Sequence, residues 1–343
     1  MKTITFFNNK GGVGKTTLVY HVAWMFHRLG ARVLVADLDP QANLTSAFLD
    51  DERLARLWEA SPSRTIYGAI EPLIERLGDI RPAHVEDIDG IGVIAGDLWL
   101  SRFEQRLTEA WSDCLDDNPA NARDAFRVTT AFHRVIREAA QRRSADVAFL
   151  DVGPSLGALN RAALVASDAV VVPLSADLYS LRGLQNLGPT LAEWRKGWAK
   201  RRELARSMQE ISLPSGAMQA LGYVVLQHAA KKRNEPANAY SRWIQRFPAE
   251  FHSRVLEQAP PEGEDPARIA MLRHFRSLMP MALEARKPVF DLRASDGAIG
   301  SHAAMVRDAE TIFESLAREI AQRAGVVLPP GARSLDADHS ERA

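Results

Sequence analysis

The octapeptide Lys10-Gly11-Gly12-Val13-Gly14-Lys15-Thr16-Thr17 constrains this chain more than any other segment. An apolar run at residues 2–8 precedes it. Behind it, Leu18, Val19, Val22, Ala23, Met25, Phe26 and Leu29 recur at helical spacing until Gly30 supplies a stop. Glycines at a strand-to-helix junction let the backbone curl until successive N–H groups point inward, and the helix adds the positive end of its dipole. Such a ring holds phosphate. Gly11, Gly12, Val13, Gly14, Lys15, Thr16 and Thr17 are therefore read as nucleotide-binding, with Lys15 against the β- and γ-phosphates and the Thr16 hydroxyl as a direct Mg²⁺ ligand.

A second apolar run, residues 32–37, follows within the first 40 residues, which makes a βαβ unit and implies a parallel sheet with a right-handed crossover. Residues 147–151, 169–174 and 220–226 are later strands without polar alternation, as expected where helices cover both faces. Helical patterns occupy residues 156–166, 184–209 and 302–323. The expected fold is α/β, a P-loop NTPase with a mostly parallel twisted sheet and helices on both faces. The expected organisation is one domain over residues 1–325, helical insertions at about 61–127 and 229–275, and a disordered tail at 326–343.

Asp37 and Asp39 end the second strand, two residues apart, and Asp151 ends the third. Carboxylates at strand ends are ordinarily solvated caps. Downstream of a phosphate loop, they stand where a Mg²⁺-bound phosphate is approached directly or through water.

The general phosphate-loop pattern has a glycine where this chain has Asn9, and beside it stands an extra lysine, Lys10. This Lys-Gly-Gly-Val-Gly-Lys-Thr-Thr segment resembles the deviant Walker A motif of the ParA/MinD ATPases, closest to ParA-type partition ATPases without an N-terminal helix-turn-helix domain. The resemblance implies ATP and Mg²⁺ as ligands, and slow, partner-stimulated ATP hydrolysis. It also implies a homodimer closed around two nucleotides, with Lys10 reaching the partner's phosphates. Lys10, Lys15 and Asp39 become the catalytic set. Asp37-Leu38-Asp39-Pro40-Gln41 is similar to the first switch, with Asp39 orienting the attacking water; Asp37, Asp39 and Asp151 support the metal through water. Residues 151–157 are similar to the second switch, with Gly153 where a proline is usual. Residues 279–288 are similar to the segment that packs on the purine, which implies a base contact at Pro280; Met281 stands where many members carry arginine.

Charge bears on partners. The chain has 343 residues and a formal net charge of +0, which by itself argues against a polyanion-binding protein. The sum conceals a division: residues 195–246 contain eleven Lys and Arg against three Glu, so the remainder is acidic. A basic stripe binds phosphate backbones by counterion release without reading sequence. Relatives in the resembling family bind DNA non-specifically through this part, and Lys231, Lys232, Arg233 and Arg242 are the implied contacts. Trp194, Trp198 and Trp243 lie among the charges, where stacking on bases competes with core packing.

One cysteine, Cys114, permits no intramolecular disulfide and fits a reducing cytoplasm. No signal peptide or membrane span is expected, nor a terminal basic amphipathic helix of the kind a MinD-like membrane ATPase uses. The expected role is partition or cargo positioning of DNA with a ParB-like or other activating protein. A regulatory ATPase docking a protein partner in secretion, conjugation or defence is the alternative, and a MinD-like membrane-associated positioning ATPase stands behind both.

Overall fold

Strand β1 (Lys2–Phe6) lies between β5 (Val147–Asp151) and β6 (Ala169–Ser175), parallel to both. β2 (Val33–Asp37) and β4 (Ile91–Ile94) continue the sheet beyond β5, and β7 (Gln219–Leu226) and β8 (Arg268–Leu272) continue it beyond β6, all parallel. β3 (Glu86–Ile88) closes the β4 edge as an antiparallel hairpin, giving the order β3-β4-β2-β5-β1-β6-β7-β8. The computed structural model describes residues 1–208, 210–226, 242–275 and 277–329.

The central strands are buried along their full length because helices cover both faces. On one face, α1 (Lys15–Arg28), α2 (Asn43–Phe48), α3 (Asp51–Glu59) and the C-terminal helix Ser301–Ala324 share a core of Ile4, Phe6, Phe26, Phe149 and Phe313. On the other, α4 (Ile66–Ile74), α5 (Phe103–Asp113), α6 (Pro119–Thr129), α7 (Ala131–Arg142), α8 (Ala158–Val165) and α9 (Leu178–Leu204) enclose Phe7, Phe103, Phe126, Phe132 and Trp198. The order in which strands are added reverses beside β1: β1 leads through α1 to β2 on one side, whereas β6 and β7 extend the sheet on the other. Crevices at such a switch point, beyond the carboxyl ends of strands, take ligands.

The regions assigned to helical insertions also feed the sheet. β3 falls within residues 61–127 together with β4, and β8 falls within 229–275. Both β3 and β8 are edge strands: β3, Glu-Asp-Ile, lacks an apolar run, whereas β8, Arg-Ile-Ala-Met-Leu, has one of only four residues and is mostly half-buried. The start of the expected tail is packed: Val326 and Leu328 lie against the core, and the Val326 amide donates to Ala321 O at 2.8 Å. Residues 330–343 lie outside the described residues.

Candidate nucleotide site

Gly12 and Gly14 have φ of 71° and 86°, in the left-handed region that glycine enters without a Cβ penalty. They curl the loop between β1 and α1 so that residues 10–17 wall a cavity of about 450 Å³ at the carboxyl end of the sheet. The opposite walls are Asp39, Gln41 and Asn43 after β2, Pro154 after β5, and Met279, Leu283 and Arg286 of the helix Leu278–Ala285 and its cap. A smaller apolar cavity of about 260 Å³ shares Val13, Gly14, Thr17, His21 and Met279 and adds Leu226, Leu272, Phe275 and Phe313. A charged loop beside an apolar recess matches a ligand with a phosphate end and a planar apolar end.

Behind the loop, Lys15 and Thr16 converge on one carboxylate. Lys15 Nζ donates to Asp151 Oδ1 at 3.1 Å, and Thr16 Oγ1 donates to Asp151 Oδ2 at 2.6 Å. Asp151 is fully buried and reaches the cavity only through these two side chains. Burial raises its pKa, opposed by the Lys15 ammonium and the Thr16 hydroxyl. Asp37, also fully buried, is pushed up by burial and by the charge of Asp151.

The structure separates the paired carboxylates. Asp39 lines the cavity, its Oδ1 accepting from the Gln41 amide at 3.0 Å. Asp37 points the other way, accepting from Thr45 N at 2.8 Å, Thr45 Oγ1 at 2.7 Å and Asp39 N at 3.2 Å. It shapes the turn that carries Asp39; expected to support the metal through water, Asp37 is not among the residues lining the cavity and stands in register beside Asp151. Alternation along a strand end sends neighbours at odd spacing to opposite faces, and the turn after β2 breaks the even spacing on which that expectation rested.

Pro280 is exposed and outside the cavity wall. One helical face carries Met279, Ala282, Leu283 and Arg286, spaced three and four apart; Pro280 is about 100° from it. Lys10 lines the cavity mouth, where its Nζ pairs with Asp177, the residue whose Oδ1 caps α9 through Ser180 N at 2.8 Å. The Tyr179 ring centroid is 5.9 Å from Nζ.

His21 was not legible as a site residue. It is 2% exposed and lines both cavities. Nδ1–H donates to Thr17 O at 2.7 Å, and Nε2 accepts from the Val289 amide at 3.1 Å. Burial pushes its pKa down to about 4. Position i+4 from Thr17 on α1 was the available signal, but it marks an interior helix face as readily as a site.

Of the basic residues between 195 and 246, Arg195 donates to Ala217 O and Met218 O, and Arg201, 6% exposed, donates to Trp111 O and Gly197 O. Trp194 and Trp198 are core residues, so the packing reading holds for both. Arg242 is exposed, its guanidinium 4.4 Å from the Trp243 ring. Lys231, Lys232 and Arg233 lie outside the described residues.

Residues 1–204, more than half of the chain, match the family described as AAA domain, AAA_31. The chain belongs to this family, of the ParA/MinD type. It is 32% identical over 203 residues to Protein IncC of Escherichia coli, covering 58% of this chain and 48% of that one. It is 32% identical over 197 residues to the chromosome-partitioning ATPase Soj of Thermus thermophilus, covering 57% and 64%. The chain thus spans about half to two thirds of the length of these curated relatives. Among solved structures, DIP2308 of Corynebacterium diphtheriae superposes with a TM-score of 0.70 at 26% identity, covering 94% of this chain and 98% of that one. A putative plasmid partition protein of Borrelia burgdorferi bound to AMPPNP, at 18% identity and TM-score 0.56 over 94% and 99%, shares the fold.

Proposed function

We propose that this chain is a Mg²⁺-dependent ATPase that closes as a homodimer around ATP, binds DNA without sequence preference, and positions DNA or another cargo together with a ParB-like or other activating protein. The observation that carries the reading is the convergence of Lys15 and Thr16 on Asp151 beneath a glycine-curled loop, with Asp39 facing the same cavity. The amides of residues 11–17 and the Lys15 ammonium hold the phosphates and offset charge that develops in transfer.

Among the described residues no cluster of three or more His, Cys, Asp or Glu side chains could hold a metal. The donor set fits Mg²⁺, which keeps several waters and takes phosphate oxygens: Thr16 Oγ1 would bind it directly, with Asp39 and Asp151 reaching it through water. The ion would supply charge neutralisation between the β- and γ-phosphates. Asp39 orients the attacking water from the cavity wall. Asp37, through its bonds to Thr45 and the Asp39 amide, fixes where Asp39 stands.

Lys10 exchanges its Asp177 partner for the γ-phosphate held by the other protomer, which links dimerisation to ATP. Exposed Lys196, Lys200 and Arg202 on α9, Arg206 in the turn after it, and Arg242 supply a cationic surface for a phosphate backbone. No described helix is long and apolar enough to cross a membrane; the proposed workplace is the cytoplasm, on the nucleoid.

The test is nucleotide binding and phosphate release by purified protein and three variants. Lys15→Ala loses ATP binding, Asp39→Ala keeps binding but loses turnover, and Lys10→Ala binds ATP as a monomer. Turnover by Lys15→Ala at the wild-type rate refutes the assignment of the cavity.

A further inference from the structure

Glu104, on α5, belongs to none of the nucleotide motifs, yet it holds the loop that follows β5. Its carboxylate accepts from the Ala158 amide at 2.5 Å through Oε1 and from the Leu159 amide at 2.8 Å through Oε2. These are the first two amides of α8, which a helix leaves without internal partners. The local N-cap, Gly157, has no side chain to serve them. A carboxylate from another element takes that place, with charge-assisted bonds aligned to the positive helix end. A Cβ at residue 157 would stand 2.5 Å from Glu104 Oε1, so glycine there is what admits the carboxylate.

The same loop is gripped from inside α8. Asn160, 2% exposed, donates through Nδ2 to Gly153 O at 2.7 Å and to Ser155 O at 2.6 Å. Residues 153–157 are thus tied to β5 at one end, to Asn160 in the middle and to Glu104 at the other. What they carry matters for turnover. Pro154 lines the nucleotide cavity against Gly11, and Gly153 faces the Asp39 carboxylate, whose Oδ1 would lie 3.5 Å from a Cβ added at residue 153.

We propose that Glu104 is a positioning residue for ATP hydrolysis: by capping α8 it fixes the 153–157 loop so that Pro154 stands in the cavity wall and Gly153 faces Asp39 at the phosphate end. Turnover then depends on the placement of α5, which lies within the region between β4 and β5, distant in sequence from the phosphate loop. This rests on the ATPase reading above. Asn160 is the second anchor of the same device.

Steady-state ATP hydrolysis and equilibrium binding of a fluorescent ATP analogue, both well below the melting temperature, test it. Glu104→Ala should lower kcat about tenfold while KM and analogue affinity stay within about twofold, with Glu104→Gln between it and wild type. Gly157→Ala should lower kcat similarly, because its methyl group displaces the carboxylate. In a Glu104→Ala background it should add little, since the clash is gone. Where Glu104→Ala fails to fold, Glu104→Gln and Gly157→Ala decide. The proposal is overturned if kcat is unchanged, if kcat and nucleotide affinity fall in proportion, or if the two substitutions add fully. Absence of turnover in the wild type would instead refute the ATPase reading.

Discussion

Lowering the pH should weaken this protein in part through His21, an imidazole in the cavity wall. The Thr17 carbonyl can only accept and the Val289 amide can only donate, so His21 is held as the neutral Nδ1–H tautomer with both nitrogens used. It also stacks on Phe313, ring centroids 4.9 Å apart and 17° from parallel. Protonation at Nε2 would set a proton against the Val289 N–H and place a charge in the core. The folded-state pKa of about 4 lies below the ordinary imidazole value of 6.5, so the unfolded chain binds more protons between these values. Stability is therefore complete above pH 6.5 and falls as pH drops toward 4, by about 3 kcal/mol in all and about 2 kcal/mol between pH 7 and 5.

The measurement compares wild type with His21→Gln by urea unfolding at pH 7 and pH 5. At pH 7 the variant should be about 1–2 kcal/mol less stable, having lost the stack and one well-aimed hydrogen bond. At pH 5 it should match the wild type, because only the wild type loses the imidazole contribution. His133, which burial and then Arg137 also push down to about 4, is present in both proteins and cancels. If the difference between the two proteins is the same at both pH values, the tautomer assignment and the burial of a neutral His21 are wrong.

Other outcomes follow from the same contacts. Asp265 accepts from Tyr223 Oη at 2.6 Å, His252 Nε2 at 2.8 Å and the Ala267 amide at 2.8 Å, all buried; Asp265→Ala should cost about 3 kcal/mol, read as a lowered urea midpoint with an unchanged slope. Asp177→Asn keeps an oxygen for the Ser180 amide but removes the charge that holds Lys10, so ATP-dependent dimers in sedimentation runs should form at up to about fivefold lower protein concentration, the scale of a half-exposed ion pair. Gly14→Ala places a methyl group at φ 86° and 3.3 Å from Leu226 Cδ1; calorimetry should show nucleotide affinity reduced by about tenfold or more, with the fold retained.

The parts of the fold readable in the sequence were those with a buried periodic signal. β1, α1, β2, β5, β6 and β7 stand within a few residues of their expected positions because two-sided burial demands continuous apolar runs and α1 shows a clean 3.6-residue period. β3 escaped because a sheet edge tolerates polar residues, whereas β4 and β8 escaped because apolar runs of only four residues do not separate strand from helix. α9 begins at Leu178, earlier than the pattern at 184–209 indicated, because the Asp177 cap sets its start ahead of the clearest apolar spacing.

At the site, the sequence determined the phosphate loop, since Gly12 and Gly14 set its curl through local backbone geometry at the head of α1, where Lys15 and Thr16 follow; their common partner Asp151 comes from β5. Tertiary structure decided everything that depends on which face a side chain takes after the chain turns. It sent Asp39 into the cavity and Asp37 behind it, left Pro280 outside while Met279 and Leu283 line the wall, and paired Lys10 with Asp177. It also brought Glu104 across 54 residues of sequence to the first amides of α8. The physical reason is range: a glycine-curled loop is specified by neighbours in the chain, whereas a buried donor or acceptor takes whatever partner the packed sheet and helices bring within hydrogen-bonding distance.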